Sequence, residues 1–191
     1  MRLIIGITGA TGAIYGVRLL EVLSKIDNVE THVIISKFGR ETIKYETGYE
    51  LEDVTALADF AYDIDDVGAS IASGSFYRDG MIVAPCTVKT MSALANSYTE
   101  NLIIRAGDVT LKERKPLVLL VRETPFHLGH LRSMAQLTEM GAIIFPPVPT
   151  FYNKPKSIDD IVNNTVGRVL DLFNIQHNLS HRWSGLRAEP D

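Results

Sequence analysis

Short apolar runs, each closed by glycines or small polar residues and followed by a longer amphipathic stretch, recur along this chain and dictate its architecture. Leu3 to Ile7 leads through Gly9-Ala10-Thr11-Gly12 into helical spacing from Ala13 to Leu23. Thr31 to Ile35, Met81 to Ala84, Leu117 to Val121 and Ile143 to Phe145 repeat the pattern, and Phe60-Ala61-Tyr62, after a helical stretch from Leu51 to Ala58, adds a weaker short strand. Runs this apolar have no polar face to show to water, so they need cover on both sides, and the intervening helices provide it. The pattern predicts an α/β fold: a three-layer α/β/α, Rossmann-like (flavodoxin-like) parallel sheet in a single domain. A length of 191 residues suffices to bury its core.

The stretch from Ile158 to Phe173 carries Ile158, Ile161, Val162, Val169, Leu170 and Phe173 on one helical face, and Ser157 with Asp160 fits a capping box at its start. Before it, Phe145-Pro146-Pro147-Val148-Pro149 is a rigid non-helical connector. Residues 1–174 therefore read as the globular part. Residues 175–191 read as a polar tail whose one large aromatic, Trp183, suggests that it closes over the active site or a neighbouring subunit.

Charge and cysteine content narrow the function classes. With 19 basic against 23 acidic residues the formal net charge is -4, which gives no global attraction for nucleic acid or anionic lipid. No run of about 18 apolar residues is present to span a bilayer. The N-terminus lacks the longer apolar region and cleavage site of a signal peptide. The single cysteine, Cys86, excludes an internal disulfide framework and any thiolate metal cluster, and suits a reducing cytoplasm.

In an open parallel sheet the ligand lies beyond the carboxyl ends of the strands, so chemistry is sought in the loops that follow them. The first, Gly6 to Ala13, places glycines and hydroxyls where backbone N–H groups and a helix dipole can hold an anion, yet it matches neither the dinucleotide fingerprint nor a Walker loop. Ser36-Lys37 stands where a nicotinamide enzyme would place an acid for the ribose. Pro85-Cys86-Thr87-Val88-Lys89-Thr90 offers hydroxyls and an amine at a helix start, or an ordinary turn with an N-cap threonine. Arg122-Glu123 sets a guanidinium and a carboxylate beyond an apolar strand, either for anion binding and proton transfer or as a mutual ion pair. Tyr152 brings a phenol that can donate to an anion. His127 and His130 lack a third ligand nearby and read as capping and packing the next helix, so no metal is expected; His32 reads as structural and Cys86 as a buried, inert thiol.

Taken in order, Gly6 to Ala13 with Tyr15-Gly16, Ser36-Lys37, Tyr45-Glu46-Thr47, Ser73-Gly74-Ser75, Pro85 to Thr90, Asp108 to Arg114, Val121 to Pro125, Pro146 to Pro149 with Phe151-Tyr152, Arg168 and Trp183 resemble the UbiX-type flavin prenyltransferases nearly end to end. The resemblance implies a homo-oligomer, typically a dodecamer, that binds FMN. It also implies transfer of a dimethylallyl group from dimethylallyl phosphate to N5 and C6 of reduced FMN, the product serving UbiD-type decarboxylases. By position, Gly9, Ala10, Thr11, Ser36, Thr87, Val88, Lys89, Thr90 and Arg122 would hold FMN. Lys112, Arg122, Tyr152 and Arg168 would hold the dimethylallyl phosphate, and Glu46, Glu123 and Trp183 would lie near the reacting group, with Lys112 and Tyr152 also assisting the chemistry. The rivals are an FMN-dependent aromatic acid or 3-octaprenyl-4-hydroxybenzoate decarboxylase and a non-catalytic FMN-binding subunit of one. Related decarboxylases on this fold rely on a histidine after the first strand and helix, and none occurs here between His32 and His127.

Overall fold

The computed structural model describes residues 1–179 together with Arg182 and Gly185. Strands β1 (Arg2–Ile7), β2 (Glu30–Ile35), β3 (Phe60–Tyr62), β4 (Gly80–Cys86), β5 (Leu117–Val121) and β6 (Ile143–Ile144) form one sheet in the order β3-β2-β1-β4-β5-β6. Every pairing is parallel; Ile5, for example, stands between Val33 and Ile82. All positions of β4 and β5 are buried, as continuous apolar runs require.

Helices α1 (Ala13–Leu23), α2 (Lys37–Thr47) and α3 (Leu51–Thr55) pack on one another, as do α4 (Val88–Ala95), α5 (Leu102–Lys112) and α6 (Leu128–Glu139), giving a helical layer on each face. The chain order reverses direction across the sheet between β1 and β4, and that switch point opens a crevice at the carboxyl edge. Gly16 lets α1 lie against the strands: a Cβ there would come 2.3 Å from the Ala84 carbonyl oxygen and 2.8 Å from Ile7 Cγ1. The segment before β4 is locked by Arg78, only 1% exposed, whose guanidinium donates to the carbonyls of Ser73, Phe76 and Ala106.

The expected strands and the helix beginning at Ala13 match the structure closely; the helix expected over Leu51 to Ala58 ends earlier, at Thr55. Two compact units emerge, Met1–Pro147 and Val148–Asp191, the second beginning ahead of the last helix. Prolines 146, 147 and 149 carry no amide hydrogens and cannot extend β6 into further pairing. In the second unit α7 (Ile158–Asp171) begins with the expected capping box between Ser157 and Asp160.

His32 is structural, as its sequence position suggests. Its ring is 2% exposed, stacks on Phe60, and bonds Tyr62 Oη at 3.0 Å and Glu30 Oε1 at 2.8 Å. Burial depresses its pKa below the ordinary 6.5, against the opposing pull of Glu30. The unfolded chain therefore takes up a proton that the fold resists. Stability from this site is complete above pH 6.5 and declines as pH falls below that value toward the folded-state pKa. The urea midpoint is expected to drop about one pH unit below 6.5, and to drop less in His32→Gln, which cannot titrate there.

Candidate active site

The crevice at the switch point is built by the loops that leave β1, β2 and β4. Thr8, 2% exposed, joins two of them: its hydroxyl donates to the Pro85 carbonyl at 2.7 Å and accepts from the Thr87 amide at 2.9 Å. Gly9 passes so close to the start of α2 that a Cβ would lie 2.5 Å from Phe38 Cβ, which reserves the position for glycine. Ser36 caps α2 by accepting from Gly39 N at 3.0 Å, and Thr87 caps α4 by accepting from Thr90 N at 3.2 Å while donating to Thr90 Oγ1. Thr87 thus serves both expectations, N-cap and pocket wall.

Between these loops lies a cavity of ≈ 480 Å³, within the usual span of small-molecule sites. Gly9, Ser36, Thr87, Lys89, Thr90 and Asn101 line it. Ala10, Thr11 and Val88 flank the lining residues in sequence without forming the wall themselves. Two ion pairs mark the rim, Lys37 Nζ to Asp65 Oδ2 and Lys89 Nζ to Glu100 Oε1, both 2.9 Å. Two helix N-termini with hydroxyl caps, two amines and an apolar floor at Ile64 and Ile104 suit a ligand with a phosphate and a flat ring.

The first loop departs from expectation in one respect. The N-terminus of α1 already holds an anion, the Glu46 carboxylate, whose Oε2 accepts from Gly12 N at 2.8 Å and Ala13 N at 3.1 Å. A helix start attracts whichever negative group reaches it, and α2 delivers one of the chain's own. Arg122, exposed beyond β5, sits beside the β4 loop, its backbone N–H donating to Cys86 O at 3.1 Å. Among the described residues no ion pair joins it to Glu123, whose Oε1 accepts from the Thr124 amide. Burial pushes the Cys86 thiol up to about 12, so it carries no thiolate near neutral pH. His127 caps α6 by accepting from Gly129 N at 3.0 Å, and its ring stacks on His130.

Lys112 does not reach this crevice. It ends α5, five residues before the first residue of β5, and therefore lies at the amino edge of the sheet. Its amine pairs with Glu113 and leans over Gly74, where a Cβ would come 2.7 Å from Nζ. The second unit carries Tyr152, exposed in the connector, and Arg168 on α7, whose Nη1 bonds Asp171 Oδ2 at 2.9 Å. Trp183 lies outside the described residues. Sequence reasoning missed Thr8, Asp65, Glu100 and Asn101. Only Asn101 left a local signal, a good N-cap residue directly before the apolar start of α5.

Comparison with known proteins accords with this geometry. A family model described as Flavoprotein matches residues 1–170. A flavin prenyltransferase UbiX of Thauera aromatica is 56% identical over 185 residues, covering 97% of this chain and 95% of its own. Among solved structures, a UbiX protein in complex with FMN and dimethylallyl pyrophosphate superposes with a TM-score of 0.95 at 49% identity, covering 97% of this chain and 98% of its own. A dodecameric FMN-dependent UbiX-like decarboxylase from Escherichia coli O157:H7 superposes with a TM-score of 0.95 at 50% identity, covering 97% of this chain and 100% of its own.

Proposed function

The chain belongs to the UbiX-type flavin prenyltransferases, and from that membership we propose that it joins a dimethylallyl group from dimethylallyl phosphate to N5 and C6 of reduced FMN, releasing phosphate. The product serves UbiD-type decarboxylases. The observation that carries this reading is the carboxyl-edge cavity, where the capped starts of α2 and α4 meet Lys89 and the Gly9 loop. Ser36, Thr87 and Thr90 would bind the flavin there, with Gly9, Ala10, Thr11, Val88 and Lys89 around them and Arg122 at the edge. A reducing cytoplasm suits such a reaction and a chain whose single cysteine is buried.

Breaking the allylic C–O bond leaves negative charge on the departing phosphate and positive charge on the prenyl carbons. Lys112, Arg122, Arg168 and Tyr152 would stabilise the phosphate without a metal, because fixed cations and a phenol donor need no reorganisation as charge develops. The aromatic face of Trp183 would shield the cationic fragment. Glu46, already fixed through Oε2, and Glu123 would move protons.

Lys112 and Arg122 bracket β5, five residues of strand or about 16 Å at 3.3 Å per residue. A site that uses both draws them from different copies, in keeping with a homododecamer like that of the Escherichia coli relative. The test is anaerobic incubation with reduced FMN and dimethylallyl phosphate, followed by mass measurement of the extracted flavin. A flavin heavier by one prenyl unit is expected; an unchanged mass overturns the activity. Lys112→Ala and Arg122→Ala assemblies should each lose at least about a hundredfold in rate. Co-assembled mixtures of the two should regain activity wherever an intact lysine faces an intact arginine, and mixtures as inactive as their parents would refute a shared site.

A further inference from the structure

The Val148–Asp191 unit contains a charge cluster in which the proposed chemistry gives a role to Arg168 but none to Asp171. Asp171 is the last residue of α7, a place where the helix dipole disfavours a carboxylate. Three cationic or potentially cationic groups nevertheless surround it. Oδ2 takes Arg168 Nη1 at 2.9 Å, while Oδ1 takes Arg182 Nη2 at 2.7 Å and has His177 Nε2 at 3.3 Å without hydrogen-bond alignment. The histidine ring is 4% exposed and meets the helix at Gly167, where a Cβ would be 2.6 Å from its Cε1. Its Nδ1 accepts from the Leu179 amide at 3.2 Å, so the ring is held on both sides. The Asp171 carboxylate, 19% exposed, thus lies beside a ring seated on a glycine, and its hydrogen-bond donors are the two arginines.

A solvent-exposed pair at this helical spacing contributes only a few tenths of a kcal/mol to stability, too little to account for so constrained a carboxylate. Orientation accounts for it better. A guanidinium on a long stem samples many rotamers, and fixing one nitrogen leaves the others aimed in a single direction. With two arginines against one carboxylate the cluster keeps a net positive charge. Arg168 is 55% exposed, which leaves its remaining N–H groups open to an anion.

We propose that Asp171 is a positioning residue for prenyl transfer: it commits Arg168 Nη1 and aims the rest of that guanidinium at the substrate phosphate. The proposal rests on the reading of Arg168 as a phosphate ligand. In steady-state assays with reduced FMN saturating, Asp171→Asn should raise KM for dimethylallyl phosphate about tenfold, as expected when one arm of an oriented arginine is released. FMN affinity should not change. Asp171→Glu, which keeps the charge, should recover most of the loss. On an Arg168→Ala background Asp171→Asn should add nothing.

The outcomes separate the two ideas. If Arg168→Ala leaves KM for the prenyl phosphate unchanged, the ligand reading fails, and this inference with it. If Arg168→Ala raises KM but Asp171→Asn does not, positioning fails while the ligand reading stands. An equal Asp171→Asn effect with and without Arg168 would also overturn positioning, since the aspartate would then act by another route.

Discussion

Gly16→Ala is expected to destabilise the protein by about 2–3 kcal/mol and to weaken flavin binding at the same time. Alanine is the better helix former by about 1 kcal/mol, so local propensity alone predicts the opposite sign. Packing decides, because the added methyl would sit 2.3 Å from the Ala84 carbonyl oxygen, and backbone atoms of a buried strand cannot rotate away. Helix α1 must lift, carrying with it the Gly12 and Ala13 amides that hold Glu46 and the loop that touches Phe38. At about 2–4 °C per kcal/mol for a chain of this size, thermal unfolding should fall by about 4–12 °C. An FMN titration of the same variant should show weaker affinity. Unchanged melting and unchanged affinity together would mean that α1 does not rest on the strands at this glycine.

Arg78→Met should cost about 3 kcal/mol, although it replaces a buried cation by an apolar side chain of similar length. Burial, with the nearby charge of Arg105, disfavours the charged guanidinium and pulls its pKa below the ordinary value, against the opposing pull of Glu113. The arginine is nevertheless solvated from within, by the carbonyls of Ser73, Phe76 and Ala106 and by the Phe76 ring 5.5 Å away. Methionine leaves those buried acceptors without donors, and the Ser73-Gly74-Ser75 turn loses one of its attachments to α5. Urea unfolding should show a lower midpoint with little change in slope; an equal or higher midpoint would show that the carbonyls find water instead.

The sheet was legible because its strands are locally extreme. Met81-Ile82-Val83-Ala84 and Leu117 to Val121 are apolar at every position, a pattern that a parallel, doubly covered strand demands and little else tolerates. Hydroxyl residues after the strands, Ser36 and Thr87, were legible for the same reason, since capping is a local act. Lys112 was not: its sequence neighbours announce a helix end but not which edge of the sheet that end occupies. Glu46 likewise meets Gly12 and Ala13 across a separation of more than thirty residues, and no spacing rule encodes such a contact. Thr8 looks like one more loop hydroxyl until the sheet brings Pro85 and Thr87 alongside it.

The rim ion pairs bear on turnover. Lys37 and Lys89 each already have a carboxylate partner, so an incoming phosphate exchanges one anion for another and meets no bare charge. Exchange lowers the net gain on binding, and by the same measure it eases departure, because Asp65 and Glu100 stand ready to take the amines back. Under the proposed function, in which the product leaves to work inside another enzyme, a moderate grip with a ready exit favours throughput over retention.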